Sequence, residues 1–105
     1  MAFQIALEEQ GYEVALAEHG KAALARIAQA PPEVILLDLR MPVMDGPTFA
    51  QEYHHQPGPH APIVVITAMS DGKAPLKDIH AAACLFKPVS IDEVVNTIEK
   101  VRDAA

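Results

Sequence analysis

Residues 34–46 read Val-Ile-Leu-Leu-Asp-Leu-Arg-Met-Pro-Val-Met-Asp-Gly. The first four form an uninterrupted apolar run, closed by the carboxylate of Asp38 and followed by turn-forming residues, the pattern of a strand buried on both faces of a parallel sheet. Ile63-Val64-Val65-Ile66 repeats it and is closed by the hydroxyl of Thr67. Both runs predict central strands. Glu13 to Ala17 and Ala83 to Phe86 are weaker candidates, too short and too rich in alanine to stand on propensity and supported by their spacing.

Helical patterns lie between and around these runs. Phe3, Ala6 and Leu7 predict a helix at the start, Leu24, Ile27 and Ala28 a second, and Phe49, Ala50 and Tyr53 a third. Gly72 and Pro75 leave room for a short helix beginning at Pro75. The last helix carries Ile91, Val94, Val95, Ile98 and Val101 on one stripe, Ser90 and Glu93 at capping-box spacing, and Lys100 and Arg102 near its C-terminus. Pro31-Pro32 and Pro57-Gly58-Pro59 punctuate the pattern as loops. Strand and helix in alternation imply right-handed crossovers and an open parallel sheet with helices on both faces, whose ligands gather at the strand C-termini.

Composition narrows the class. The chain has 105 residues, half of them hydrophobic, enough for one core and one domain spanning residues 1–105. A formal charge of −6 repels nucleic acid and anionic membrane surfaces, so neither is expected as a direct partner. The longest apolar runs fall far short of the roughly 20 residues of a spanning helix, and the opening residues lack the early positive charge of a targeting peptide. A cytoplasmic location is expected. The single cysteine, Cys84, forms no internal disulfide and reads as a small core residue. The five histidines, His19, His54, His55, His60 and His80, have no matching carboxylate or cysteine cluster and read as solvated side chains.

Asp38, Thr67 and Lys87 each end a predicted strand, so a parallel sheet brings a carboxylate, a hydroxyl and an ammonium to one edge. Singly, each is an ordinary strand-terminating polar residue. Together they suit a phosphoryl group: aspartate as nucleophile, the hydroxyl as donor to a phosphoryl oxygen, the lysine as neutralising charge.

On these residues the chain resembles the receiver domain of bacterial two-component response regulators. The resemblance runs from Gly11-Tyr12-Glu13-Val14 through Pro32 to Asp38, then Met41-Pro42-Val43-Met44-Asp45-Gly46, Thr67-Ala68, Lys87-Pro88 and the last helix. It implies a three-layer, flavodoxin-like (CheY-like) open parallel sheet with helices on both faces, a signalling module rather than an enzyme. By the same resemblance Asp38 is the phosphoacceptor, served by a histidine kinase or phosphotransfer protein. Thr67 looks like the switch hydroxyl, Lys87 like its basic partner, and Pro88 follows a cis bond. Mg²⁺ would be held by Asp38 and the main-chain carbonyl of Arg40. Met41, Pro42, Asp45 and Gly46 are structural residues near the site, with Asp45 placed to cap the following helix.

The chain departs from this family at its start. Family members open with a hydrophobic strand ending in an acidic pair, and here only ten residues precede Gly11. The first strand and the acidic pair therefore have no counterpart, and the domain reads as truncated at its N-terminus. Glu8 and Glu9 lie at the wrong end of the helix to replace the pair and read as solvated charges. Weak Mg²⁺ binding and slow or absent phosphorylation are expected. In the family the lost strand lies inside the sheet, so its absence leaves edges that invite a homodimer, with direct pairing of residues 13–17 and 33–38 as the alternative. Cys84 stands where the family often has a coupling aromatic. The stretch from Thr67 to Lys87 is about two residues shorter than usual, and the Gly-Ala before the last strand appears as His80-Ala81.

Three functions compete. The first is a phosphoacceptor receiver that alters protein–protein contacts, and the second is a phosphorylation-independent interaction or dimerisation module on the same fold. The third, an aspartate-nucleophile phosphatase of the dehalogenase type, needs a second acid two residues past the nucleophile, where Arg40 stands.

Overall fold

Parallel strands that are apolar along their whole length need cover on both faces, and the helices supply it. The computed structural model describes residues 4–17, 20–38, 46–58, 60–68 and 81–104. Along them lie α1 (Gln4–Glu9), α2 (Gly20–Gln29), β1 (Ile35–Asp38), α3 (Gly46–His55), β2 (Ile63–Ala68), β3 (Ala83–Lys87) and α4 (Ile91–Ala104). The strands form one sheet in the order β1-β2-β3, both pairs parallel. The three-layer open parallel sheet expected from the sequence is present.

Alternation along each strand sorts the core into two halves. Ile35, Leu37, Ile63 and Val65 pack with Phe49, Ala50 and Tyr53 of α3, and with Ala23, Leu24 and Ile27 of α2 and Cys84 of β3 at the margin. On the other face Leu36 and Leu85 join Leu7 of α1 and Val94, Val95 and Ile98 of α4. The central strand is sealed by both halves, with Val64 and Val65 fully buried. In α2 the inward stripe includes Ala23, whereas Ala28, placed on it by spacing, is exposed.

The ends of α1 and α4 are set by local chemistry. At Gly11, with φ 93°, α1 closes in a Schellman turn: the Gly11 N–H donates to the Glu8 carbonyl at 3.0 Å and the Tyr12 N–H to the Leu7 carbonyl at 3.1 Å. The accompanying apolar contact is present, as Leu7 and Tyr12 meet in the same core half. Ser90 and Glu93 form the expected capping box, in which the Glu93 N–H donates to Ser90 Oγ at 3.2 Å and the Ser90 N–H reaches Glu93 Oε1 at 3.5 Å.

One expected strand does not form. Residues 13–17 enter no ladder, neither with β1 nor with another described strand. Their exposure nevertheless alternates residue by residue, with Tyr12, Val14 and Leu16 half-buried and Glu13, Ala15 and Ala17 exposed. A strand exists through its neighbour, and on the side of β1 away from β2 no described strand supplies one. The direct pairing of 13–17 with 33–38 is thereby overturned. The helix expected from Pro75 lies outside the described residues, as do Phe3 and the loop carrying Arg40, Met41, Pro42 and Asp45.

Phe49 is 1% exposed, and Phe49→Ala should lower stability by about 3–5 kcal/mol, read as a lower denaturant midpoint at unchanged slope. Ile5, 73% exposed, is the internal control, with Ile5→Gln expected within about 0.5 kcal/mol of wild type. Gly11→Ala should cost about 1–2 kcal/mol through its positive φ alone, because a Cβ there meets nothing within 4 Å.

Candidate functional site

The strand register stages three polar residues at the C-terminal edge of the sheet. Asp38 pairs with Ile66, and Ile66 with Leu85. Thr67, paired with Phe86, stands one row beyond, and Lys87, paired with Ala68, stands two rows beyond. At ordinary strand spacing and rise, the Asp38 and Thr67 backbones lie roughly 6 Å apart and those of Asp38 and Lys87 roughly 12 Å apart. The second span is one that a long lysine side chain and an intervening anion can bridge. The three residues named from the sequence are thus brought to one edge.

Their surroundings differ. Thr67 is 1% exposed, the one buried polar side chain among the described residues. Its strand position puts it on the face shared with Ile63 and Val65. A buried hydroxyl must be satisfied, and Thr67 is engaged with a neighbour. Lys87 is exposed and likewise engaged. The Lys87-Pro88 peptide bond is cis, as expected. Gly46 is the first residue of α3, the next described element after β1.

Cys84 occupies β3 three residues before Lys87 and packs against the α2–α3 half of the core. Burial pushes its thiol above the ordinary cysteine range. It is the small core residue foreseen, and it leaves Phe86, 44% exposed, as the aromatic of this strand. That exposed phenyl, on the same sheet face as Thr67, was not singled out from the sequence. Strand periodicity places it, but the cover over it cannot be read from one strand.

The three strands contribute a single carboxylate, that of Asp38, and no group of three His, Cys, Asp or Glu residues able to hold a metal occurs among the described residues. Glu8 and Glu9 are exposed, as expected of solvated helix charges. The carbonyl of Arg40 lies outside the described residues.

Comparison with known proteins bears on the family and the fold. The sequence model of the response regulator receiver domain matches residues 1–99. An uncharacterized response regulatory protein of Vibrio cholerae is 40% identical over 90 residues, covering 85% of this chain and 34% of that protein. The response regulator PleD of Caulobacter vibrioides is 37% identical over 90 residues, covering 85% of this chain and 20% of that protein. This chain therefore spans about a third or less of the length of these curated relatives. The receiver domain of Francisella response regulator 1452 superposes with a TM-score of 0.84 at 26% identity, covering 98% of this chain and 86% of that one. A CheY-like receiver domain from Methylobacillus flagellatus, at 18% identity and a TM-score of 0.82, covers 95% of this chain and 86% of that one and shares the fold. Receiver domains are signalling modules, and no helix among the described residues is long and apolar enough to cross a membrane. Sequence pattern and backbone agree over nearly the whole chain, which belongs to the response regulator receiver domain family.

Proposed function

We propose that the chain is a phosphoacceptor module acting in the cytoplasm, in which Asp38 takes a phosphoryl group from a histidine kinase or phosphotransfer protein and thereby alters protein–protein contacts. The observation that supports this most is the staggered register of Asp38, Thr67 and Lys87 at one sheet edge. In the transfer, a carboxylate oxygen of Asp38 attacks phosphorus, an O–P bond forms, the P–N bond to the donor histidine breaks, and the departing imidazole nitrogen takes up a proton. Thr67 donates its hydroxyl hydrogen to a phosphoryl oxygen, and Lys87 offsets the charge left on the others. On this reading Met41, Pro42, Asp45, Gly46 and Pro88 are structural residues near the acceptor. The domain comprises residues 1–105. Its charge of −6 disfavours direct contact with nucleic acid or anionic lipid.

A second reading is favoured by two observations, the single strand carboxylate and the edge of β1 that no described strand covers. On that reading the fold serves as a phosphorylation-independent interaction or dimerisation module, and two copies associate through their open sheet edges. Both readings predict weak Mg²⁺ binding.

Intact-protein mass after incubation with acetyl phosphate and Mg²⁺ separates them. The first reading expects one phosphoryl adduct on wild type, none on Asp38→Ala and a clearly slower appearance on Lys87→Ala. A folded wild type with no adduct would leave the second reading standing. Light scattering across a dilution series should show a dimer that dissociates with dilution, and a monomer at every concentration would exclude edge association.

A further inference from the structure

The segment with a strand's alternation and the strand without a second neighbour share one half of the core. Tyr12 and Val14 pack there with Leu7, as do Val34 and Leu36. No backbone hydrogen bond joins the two segments among the described residues. The Ile35 N–H donates to the Pro62 carbonyl at 3.0 Å, on the β2 side. Successive residues of a strand turn their backbone groups to opposite sides, so the N–H and C=O of Leu36 face away from β2, where no hydrogen bond to them occurs among the described residues. Residues 13–17 likewise make no backbone hydrogen bond among the described residues. They reach β1 through the single helix α2, a connection that leaves its two flanking segments parallel.

Backbone groups in a half-buried setting need partners, and an extended chain lying between the two segments would supply them to both. The surroundings specify that chain. One of its faces would meet the half of the core that holds Tyr12, Val14 and Leu36, and the other the half that holds Ile35 and Leu37. Both are apolar, so the occupant is apolar on both faces. Charge sets its direction. Glu13 opens the unpaired segment and Glu33 precedes β1, and both are exposed. Glu8 and Glu9, also exposed, end α1, which the Schellman turn ties to Tyr12. In a parallel arrangement these four carboxylates mark the end at which the added chain begins, against the single base in the last turn of α2, Arg26.

We propose that residues 13–17 and β1 form an acceptor for one extended segment of a partner protein, added parallel to β1, basic at its first residues and then β-branched and apolar. This is strand addition in which both edges of the incoming chain are paired. The proposal takes from the second reading above the uncovered edge of β1 and names its occupant, and it does not depend on phosphorylation of Asp38.

The probe is a labelled, capped peptide, Lys-Lys-Val-Ile-Val-Ile-Thr. Its fluorescence anisotropy, titrated with the full chain, should saturate at one peptide per chain. Proline in place of the second valine, which deletes a ladder donor, should weaken binding at least tenfold, and glutamates in place of the lysines should also weaken it. Glu13→Gln and Glu33→Gln should each weaken it roughly twofold to fivefold, whereas Glu52→Gln, exposed on α3, should leave it unchanged. Hydrogen exchange of wild type needs no variant: the peptide should slow the Leu36 amide more than the Ile35 and Leu37 amides, which already face β2. Absence of saturable binding, equal affinity of either altered peptide, or a Leu36 amide that does not slow would each overturn the proposal. A dimer that the peptide does not dissociate would overturn it too, while leaving edge association of two copies standing.

Discussion

Everything else in this molecule hangs on β2. Among the described strands it is the one with a parallel neighbour on each side, so its backbone groups are satisfied in both directions, while Ile63 and Val65 enter one half of the core and Val64 and Ile66 are buried on the opposite face. Ile63, Val64, Val65 and Ile66 are all buried, whereas in β1, at the edge of the described sheet, Leu36 between Ile35 and Leu37 is only half-buried. The register of this strand also determines the chemistry. Slipping it by one residue would exchange the two core faces and move Thr67 out of its place between Asp38 and Lys87. Packing and site geometry are therefore the same constraint seen from the middle and from the end of one strand.

β1 and β2 were legible because a buried parallel strand leaves a clear trace, four apolar residues and then a polar one, although β1, expected to be central, has only β2 as a described neighbour. The amphipathic α3 and α4 were legible for a similar reason, since their stripes at Phe49, Ala50 and Tyr53 and at Val94 and Ile98 face the core. In α2 the short, alanine-rich pattern leaves the inward arc poorly defined, and Ala23 takes the place expected of Ala28. Residues 13–17 carry a strand's alternation without a strand's ladder, because alternation is a property of the chain and a ladder belongs to a pair.

The site was legible to the same extent as the strands that end in it. Placing Asp38, Thr67 and Lys87 needed only strand ends and a parallel direction. The contact between Tyr53 and Ala61 was not legible, because it depends on where the chain returns after Gly58 and on a hydroxyl that captures the Ala61 N–H. Contacts made by loop closure have no period in the sequence. They come into view only when both ends of the loop have been positioned by the core.

The side of β1 that no described strand covers has a consequence for solubility. Val34 to Leu37 is a short, uncharged, strongly β-forming run at an edge, the kind of segment that templates cross-β growth when strands from other molecules stack on it. Carboxylates bracket it, Glu33 before and Asp38 after, as gatekeepers whose mutual repulsion between copies opposes in-register stacking. Neutralising Asp38 removes one of the two. The residue proposed to receive a phosphoryl group is thus also one of a pair of charges whose repulsion opposes stacking of this edge on a second copy.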